Sequence, residues 1–423
     1  MNPIRKTESL CPVCLKKIDA SIIEENGNIY LLKRCPVHGR CRTVVWRENV
    51  ENYLAWIRMA GNQPNGMVSN PNPPAKGCPW DCGYCADHRQ DLCSAALMVT
   101  ARCNLDCPIC FTRDNYETIY HPSLTMLKAT VRKYLDLTKT PYPLEFCGGE
   151  PTIRDDLPQL ASYAKSLGFD YIQLNTNGIR IAEDLAYLEE LKASGITTIY
   201  LSFDGFNDEI YRYTSGSYLL EKKWKAVENC EIARIAVILV PVIVPGKNDN
   251  ELGRIIEYAK SHTPAVKGVF IQPISYFGSF PKAPEDGDRI TIPEIMDQIE
   301  VQSKGAVKRI HFQPPMCEHP TCSFNGFFLI KNGRLYPMTR FKERATETNA
   351  AARTRRITKR TWTYNEQSYL TIGGMAFQDV WNIDLERVRR CTIGILSEKN
   401  GIVPLCVKYL ANQTGERLYP GIA

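Results

Sequence analysis

From residue 95 to 308 the chain alternates an apolar stretch with an amphipathic one six times, and few folds accommodate that rhythm. The apolar stretches, 95–101, 143–148, 170–176, 197–203, 235–243 and 266–272, have strand length and are rich in Val, Ile and Leu. The segments near 123–138, 155–167, 184–194, 218–231, 249–261 and 292–304 carry apolar residues at helical spacing. Apolar runs without strict alternation are covered on both faces, the condition of a parallel sheet dressed with helices. Short right-handed connections then curve six β/α units into an open barrel. The expected class is α/β: a partial (β/α)6 barrel over 95–308. A metal-binding knuckle over 1–47 and a cysteine-rich segment over 48–94 precede it, and a cysteine-bearing domain over 309–423 follows.

Reactive groups in such barrels occupy the loops after the C-terminal ends of strands, and the unusual residues of this chain fall there. After strand one comes C-x3-C-x2-C, as Cys103, Cys107 and Cys110, with Phe111 directly behind. Three thiolates at this spacing can hold three irons of a [4Fe–4S] cube and leave the fourth open to a ligand. After strand two comes Gly148-Gly149-Glu150-Pro151, whose glycines permit close backbone approach to a ligand. Strand three ends in Asn175 and Asn177, strand four in Ser202 and Asp204, and strand six at Gln272. Any one of these reads equally as a cap or turn residue; together, at one end of a barrel, they outline a binding site.

The chain has 17 cysteines, no run of about twenty apolar residues that would span a bilayer, and a first segment without the apolar core of a secretion signal. A cytoplasmic protein that uses its thiols for metal is expected. Cys11 and Cys14, then Cys35 and His38, form two knuckles around a hairpin turning at Asn26-Gly27, a four-ligand site for Zn or Fe. Cys41 competes with His38 for the fourth place. Cys78, Cys82 and Cys85 repeat the C-x3-C-x2-C spacing behind a Pro- and Gly-rich loop, and Cys93 adds a fourth thiolate. A fully ligated auxiliary cube is expected there, with a second structural zinc as the rival. Cys317, Cys322, Cys391 and Cys406 would complete another cluster, while Cys230 reads as core. The net charge of +6 is modest; eight basic residues between Arg340 and Arg360 suit either a solvated loop or a patch for anionic headgroups. No nucleic-acid recognition module is visible.

The triplet, the strand before it and the GGEP loop resemble the radical S-adenosylmethionine (SAM) superfamily. That resemblance implies a catalytic cluster on Cys103, Cys107 and Cys110, and a SAM amine held by Gly148, Gly149 and Glu150. Asn175, Asn177, Ser202, Asp204 and Gln272 would then face ribose, methionine carboxylate or substrate. It further implies a 5′-deoxyadenosyl radical that takes hydrogen from an unactivated C–H bond. The order CPxC, CPxHG, GCPxDCGxC, CNLxCPICF, GGEP, with segments 333–341 and 375–406, looks closest to the tetraether (membrane-spanning) lipid synthase group, whose relatives include pterin methylases. The group implies SAM, three [4Fe–4S] clusters and one mononuclear Fe or Zn. It implies a membrane glycerolipid substrate whose hydrocarbon chain ends are coupled, a small redox protein or reductase as electron donor, and a peripheral place at the membrane. The alternative is methylation of a pterin or another small molecule. The extra Cys41 and the short segment after Cys406 depart from the group's pattern.

Overall fold

The computed structural model describes residues 3–60, 75–82, 85–113, 120–339, 349–397 and 401–419. Its first element is a four-stranded antiparallel sheet, β1 (Arg5–Leu10), β2 (Lys17–Glu25), β3 (Asn28–Cys35) and β4 (Gly39–Trp46), in that order. The β2–β3 turn places Asn26 at φ 51° and Gly27 at φ 73°. Two consecutive left-handed residues match the twist of the flanking strands, which is why an Asn-Gly pair sits there.

The expected barrel strands are all present: β5 (Ser94–Thr100), β6 (Leu144–Gly148), β7 (Ile172–Thr176), β8 (Thr198–Ser202), β9 (Ala236–Val240), the two-residue β10 (Val242–Ile243) and β11 (Val266–Pro273). The stretch expected as one strand over 235–243 divides at Pro241, which has no N–H to give to a ladder. Each side chain of β9 is buried, as a strand covered on both faces requires. The six expected helices appear as Leu124–Thr138, Leu157–Ser166, Leu185–Ser194, Leu220–Ala233, Leu252–Ser261 and Ile292–Gln302. Two short ones, Ile179–Glu183 and Asp208–Ser215, were not expected.

Among the described residues, 309–423 build no sheet of their own. Their strands β12 (Ser323–Lys331), β13 (Arg334–Pro337), β14 (Tyr369–Met375), β15 (Ile393–Ser397) and β16 (Gly401–Pro404) extend the barrel's sheet at both margins. β14 joins β11 in parallel and carries β12 and then β13 antiparallel; β15 joins β5 in parallel and carries β16. Six strands of an open barrel leave two edges of unpaired backbone groups, and the C-terminal segment pairs with both.

Half of the basic segment lies in the helix Ala350–Thr361, and residues 340–348 fall outside the described residues. Two of its cations are in ion pairs: Arg355 pairs with Asp91 at 3.0 Å and stacks 3.6 Å over Tyr142, and Lys359 pairs with Asp170 at the surface. These two cations brace the helix against the rest of the fold. No helix among the described residues is long and apolar enough to cross a membrane. The N-terminal sheet is fastened to the C-terminal segment: Asp384 receives Arg5 and the Thr7 hydroxyl (2.6 Å), and buried Lys33 donates to the carbonyls of Leu10 (3.0 Å) and Val380 (2.6 Å).

Candidate active site

In the N-terminal sheet, the ligand atoms of Cys11, Cys14, Cys35 and His38 all lie within 4.8 Å of one another. His38 Nδ1 is 3.5 Å from the sulfurs of both Cys11 and Cys35. Cys41 is not in the group, so the competition for fourth ligand goes to His38. Backbone N–H groups of His38 and Val37 draw the Cys35 thiol down to about 6 against its burial. Three thiols and an imidazole gathered within reach of one ion fit a tetrahedral structural zinc.

The second centre lies where β5 ends. Cys110 is held by a two-way backbone bridge to Ser279 (3.0 and 2.8 Å), and the thiols of Cys103 and Cys107 are near enough to feel its charge. Burial first, then neighbouring Cys110 and Cys103, pushes Cys107 up to about 12; burial also takes Cys103 up to about 11. Thiols that repel one another as thiolates are what an iron cluster would relieve, so the donor set fits one.

The glycines of the GGEP loop also meet a demand within the chain. A Cβ on Gly148 would lie 2.0 Å from the Thr100 carbonyl oxygen, and one on Gly149 2.3 Å from that of Arg102. The backbone that comes close is the chain between β5 and Cys103. Gly149 N–H donates to Thr100 (2.8 Å) and Glu150 N–H to Arg102 (2.9 Å), so this loop braces the cysteine loop. The Glu150 carboxylate is buried and accepts from Thr152 N–H (3.0 Å), the Thr152 hydroxyl (2.7 Å), the Thr176 hydroxyl (2.7 Å) and Asn177 N–H (2.7 Å). It ties the end of β6 to the end of β7.

Around that tie stand Asn177, Ser202 and Asp204, and a residue the sequence reading missed, Lys223. The buried Lys223 ammonium donates to the Asn177 carbonyl (2.6 Å) and to Ser202 Oγ (2.8 Å). Burial lowers it to about 8, while Asp204, Glu150 and Cys107 work to hold its proton. A helical Lys normally reads as a solvated face; the signal was its place in the buried stripe Leu219, Lys223, Ala226, Cys230. Asp204 accepts from Val242 N–H (2.9 Å) and the Thr214 hydroxyl (2.8 Å), and Asn177 Nδ2 donates to Asn104 (2.7 Å).

Asn175 and Gln272 are elsewhere. They line a cavity of about 1190 Å³ that runs down the barrel from Phe111 to the helix Ala350–Thr361. Phe111, next to Cys110, meets Phe277 and Tyr409 edge-on at 6.0 and 5.2 Å, so the triplet loop opens onto this cavity. One wall is polar. Glu145 on β6 is in register with Gln173 on β7, and Asn175 with Tyr200 on β8. Gln173 Nε2 donates to Asn175 Oδ1 (2.8 Å) and Glu145 Oε2 (3.3 Å), and Asn175 Nδ2 donates to the same oxygen (3.4 Å). Burial pushes the Glu145 carboxyl up, while Ser94 and Asn175 pull it down.

The remaining cysteines regroup. Cys78, Cys82 and Cys85 share a small cavity with Cys391, whereas Cys93 lies 3.2 Å from Cys317. Cys391 also lines the adjoining space with Cys322 and Cys406. Cys391 thus stands between the two expected quartets, Cys78/82/85/93 and Cys317/322/391/406, bordering the knuckle on one side and Cys322 and Cys406 on the other, while Cys93 lies next to Cys317. Cys147 and Cys230 are buried apart from these groups.

Comparison with known proteins agrees with both centres. Residues 97–259 match the radical SAM superfamily, and residues 3–47 match the HMPTM N-terminal zinc ribbon domain. The 7,8-dihydro-6-hydroxymethylpterin dimethyltransferase of Methanocaldococcus jannaschii is 33% identical over 95% of this chain and 92% of its own length. The GTP 3′,8-cyclase of Syntrophomonas wolfei subsp. wolfei is 29% identical over 44% of the chain and 57% of its own. The FeFe-hydrogenase maturase HydG from Carboxydothermus hydrogenoformans superposes with a TM-score of 0.41 at 17% identity, over 51% of this chain and 52% of that one. With a triplet, a zinc ribbon and a full-length relative in agreement, this chain belongs to the radical SAM superfamily, in the same zinc-ribbon-bearing family as the archaeal dimethyltransferase.

Proposed function

We propose that the protein is a radical SAM methyltransferase acting on a reduced pterin of the 6-hydroxymethyl type. The observation that carries this reading is the 33% identity to the M. jannaschii pterin dimethyltransferase across 95% of the chain. It displaces lipid coupling, the first expectation, in favour of the alternative. The cavity is compatible with the change, since one wall offers Glu145, Gln173 and Asn175 to a polar ligand. When bound, the cluster and SAM supply a 5′-deoxyadenosyl radical for hydrogen abstraction.

The protein's part is to orient and to seal. Lys223, with Ser202 and the Asn177 carbonyl, presents a buried cation beside Cys107 that suits the carboxylate of SAM. Phe111, Phe277 and Tyr409 form an aromatic collar between the triplet loop and the cavity, placed to keep water from a radical. We assign one auxiliary cluster to Cys78, Cys82, Cys85 and Cys391, on the strength of the cavity they share.

The test is anaerobic turnover of the reconstituted protein with SAM, reductant and 6-hydroxymethyl-7,8-dihydropterin, in parallel with a lipid extract. Methylated pterin, with 5′-deoxyadenosine rising only in its presence, is expected; an isotopic label in the SAM methyl identifies the donor. Lipid-dependent 5′-deoxyadenosine with an unchanged pterin would return the substrate to lipid.

A further inference from the structure

The inner face of a barrel strand is set by alternation, and in this barrel the alternation places polar residues inward where apolar ones would fill the lumen more cheaply. On β6 Glu145 precedes the fully buried Phe146; on β7 Gln173 and Asn175 flank Leu174; on β8 Tyr200 lies between Ile199 and Leu201. Phe146, Leu174, Ile199 and Leu201 belong to the core under the helices, and their polar neighbours line the cavity. Polar atoms held deep in a barrel need a reason.

Their arrangement is specific. Glu145 has no cation within ion-pair distance among the described residues; its Oε2 takes two long bonds, from Gln173 (3.3 Å) and Asn175 (3.4 Å), and the Ser94 hydroxyl also bears on the carboxylate. The two amides satisfy each other better, at 2.8 Å, than they satisfy the carboxylate. Tyr171 OH donates to Gln173 Oε1 (3.2 Å) and fixes which end of that amide faces the carboxylate. Beside this wall stand the rings of Tyr200, Phe270 and Trp362, whose centroids lie 5.6–6.1 Å apart. A flat, polar heterocycle is the chemistry that answers both features: aromatic faces for its rings, and an anionic acceptor for two adjacent N–H donors on its edge.

We propose that Glu145, oriented by Gln173 and Asn175, reads the ring N–H and exocyclic amine of a 2-amino-4-oxopyrimidine, the edge that a pterin shares with guanine. This rests on the pterin reading above and adds to it the residue that recognises the ring. The carboxylate accepts both N–H donors in a bidentate pair, and the ring stacks within the aromatic group. Exchanging the carboxylate for an amide places an N–H against one of those donors, so Glu145→Gln opposes the ligand as well as losing an acceptor.

The experiment is equilibrium binding to the purified, metal-loaded protein of three probes: 6-hydroxymethyl-7,8-dihydropterin, its lumazine counterpart with oxygen in place of the 2-amino group, and guanosine. The wild type should bind the pterin at least tenfold tighter than the lumazine. Glu145→Gln should lose at least tenfold in pterin affinity and most of that preference, with iron content and SAM binding unchanged. Equal binding of pterin and lumazine by the wild type overturns the proposal without recourse to any variant. Pterin binding that Glu145→Gln leaves intact overturns it while sparing the pterin function. Guanosine binding that depends on Glu145, without pterin binding, supports the edge recognition and overturns the pterin function. Binding of no probe overturns both.

Discussion

Gly149 shows at the scale of one residue how the cluster loop is kept in place. Its α-carbon faces the carbonyls of Arg102 and Ala101, at 2.3 and 2.7 Å from where a Cβ would be, and backbone cannot yield as a flexible side chain can. Gly149→Ala should therefore cost about 1–3 kcal/mol or more in stability and should part the GGEP loop from the triplet loop. Iron at the triplet and 5′-deoxyadenosine formation should fall together, by more than tenfold for the nucleoside. Wild-type iron and turnover in that variant would show that the contact does not brace the cluster. His38 and Cys41 allow a second comparison, since only His38 stands among the gathered ligand atoms. Cys41→Ser should keep its zinc, and His38→Ala should lose it to a moderate chelator; elemental analysis after dialysis decides. Spacing already favours His38, since C-x2-H over Cys35 and His38 repeats the C-x2-C of the first knuckle, and the fold of the β3–β4 turn brings it among the ligands.

Among the elements, the helix Leu220–Ala233 carries most that was hidden. It buries Lys223 under the ends of β7 and β8, where the ammonium joins a carbonyl of one to a hydroxyl of the other. Lys223→Met keeps the length of the stem but leaves those acceptors unpaired, at a cost of about 1–3 kcal/mol, and removes the cation next to Cys107. Denaturant titration should show the loss, and SAM affinity should drop at least tenfold. Unaltered SAM affinity in a destabilised variant would reduce Lys223 to a structural tie. The six barrel strands and their helices were legible because apolar runs and helical periodicity are local signals. Lys223 and Glu145 were not read, because a charged residue on an amphipathic helix or a short strand is ordinarily assigned to the solvent. Their positions within otherwise buried patterns were the available clue.

For the whole molecule, the zinc ribbon and the C-terminal segment are joined through Asp384. Burial alone would raise this carboxyl, but Arg5, His319 and Thr7 hold it below its ordinary 3.8. A carboxylate lowered by folding contributes its stability above the unfolded value and loses it as the pH falls through the folded one. The stability gap between wild type and Asp384→Asn should be full above pH 3.8 and close below it. Unfolding curves across that range test this, and a gap that widens with acid would sink the idea.

The same scale separates what the chain carries locally from what folding adds. Alternation of strand and helix, the Asn-Gly hairpin and the spacing of Cys11, Cys14 and Cys103, Cys107, Cys110 are written over a few residues each, because backbone propensity and ligand bite are short-range. From them came the parallel barrel, the metal knuckle and the radical SAM class. The partners of Cys93 and Cys391, the pairing of the C-terminal strands with both barrel edges, and the polar wall around Glu145 join residues tens to hundreds of positions apart. Those were decided only in the tertiary structure, since which edges are left unpaired, and which side chains then share a cavity, is a property of the closed sheet and of no segment within it.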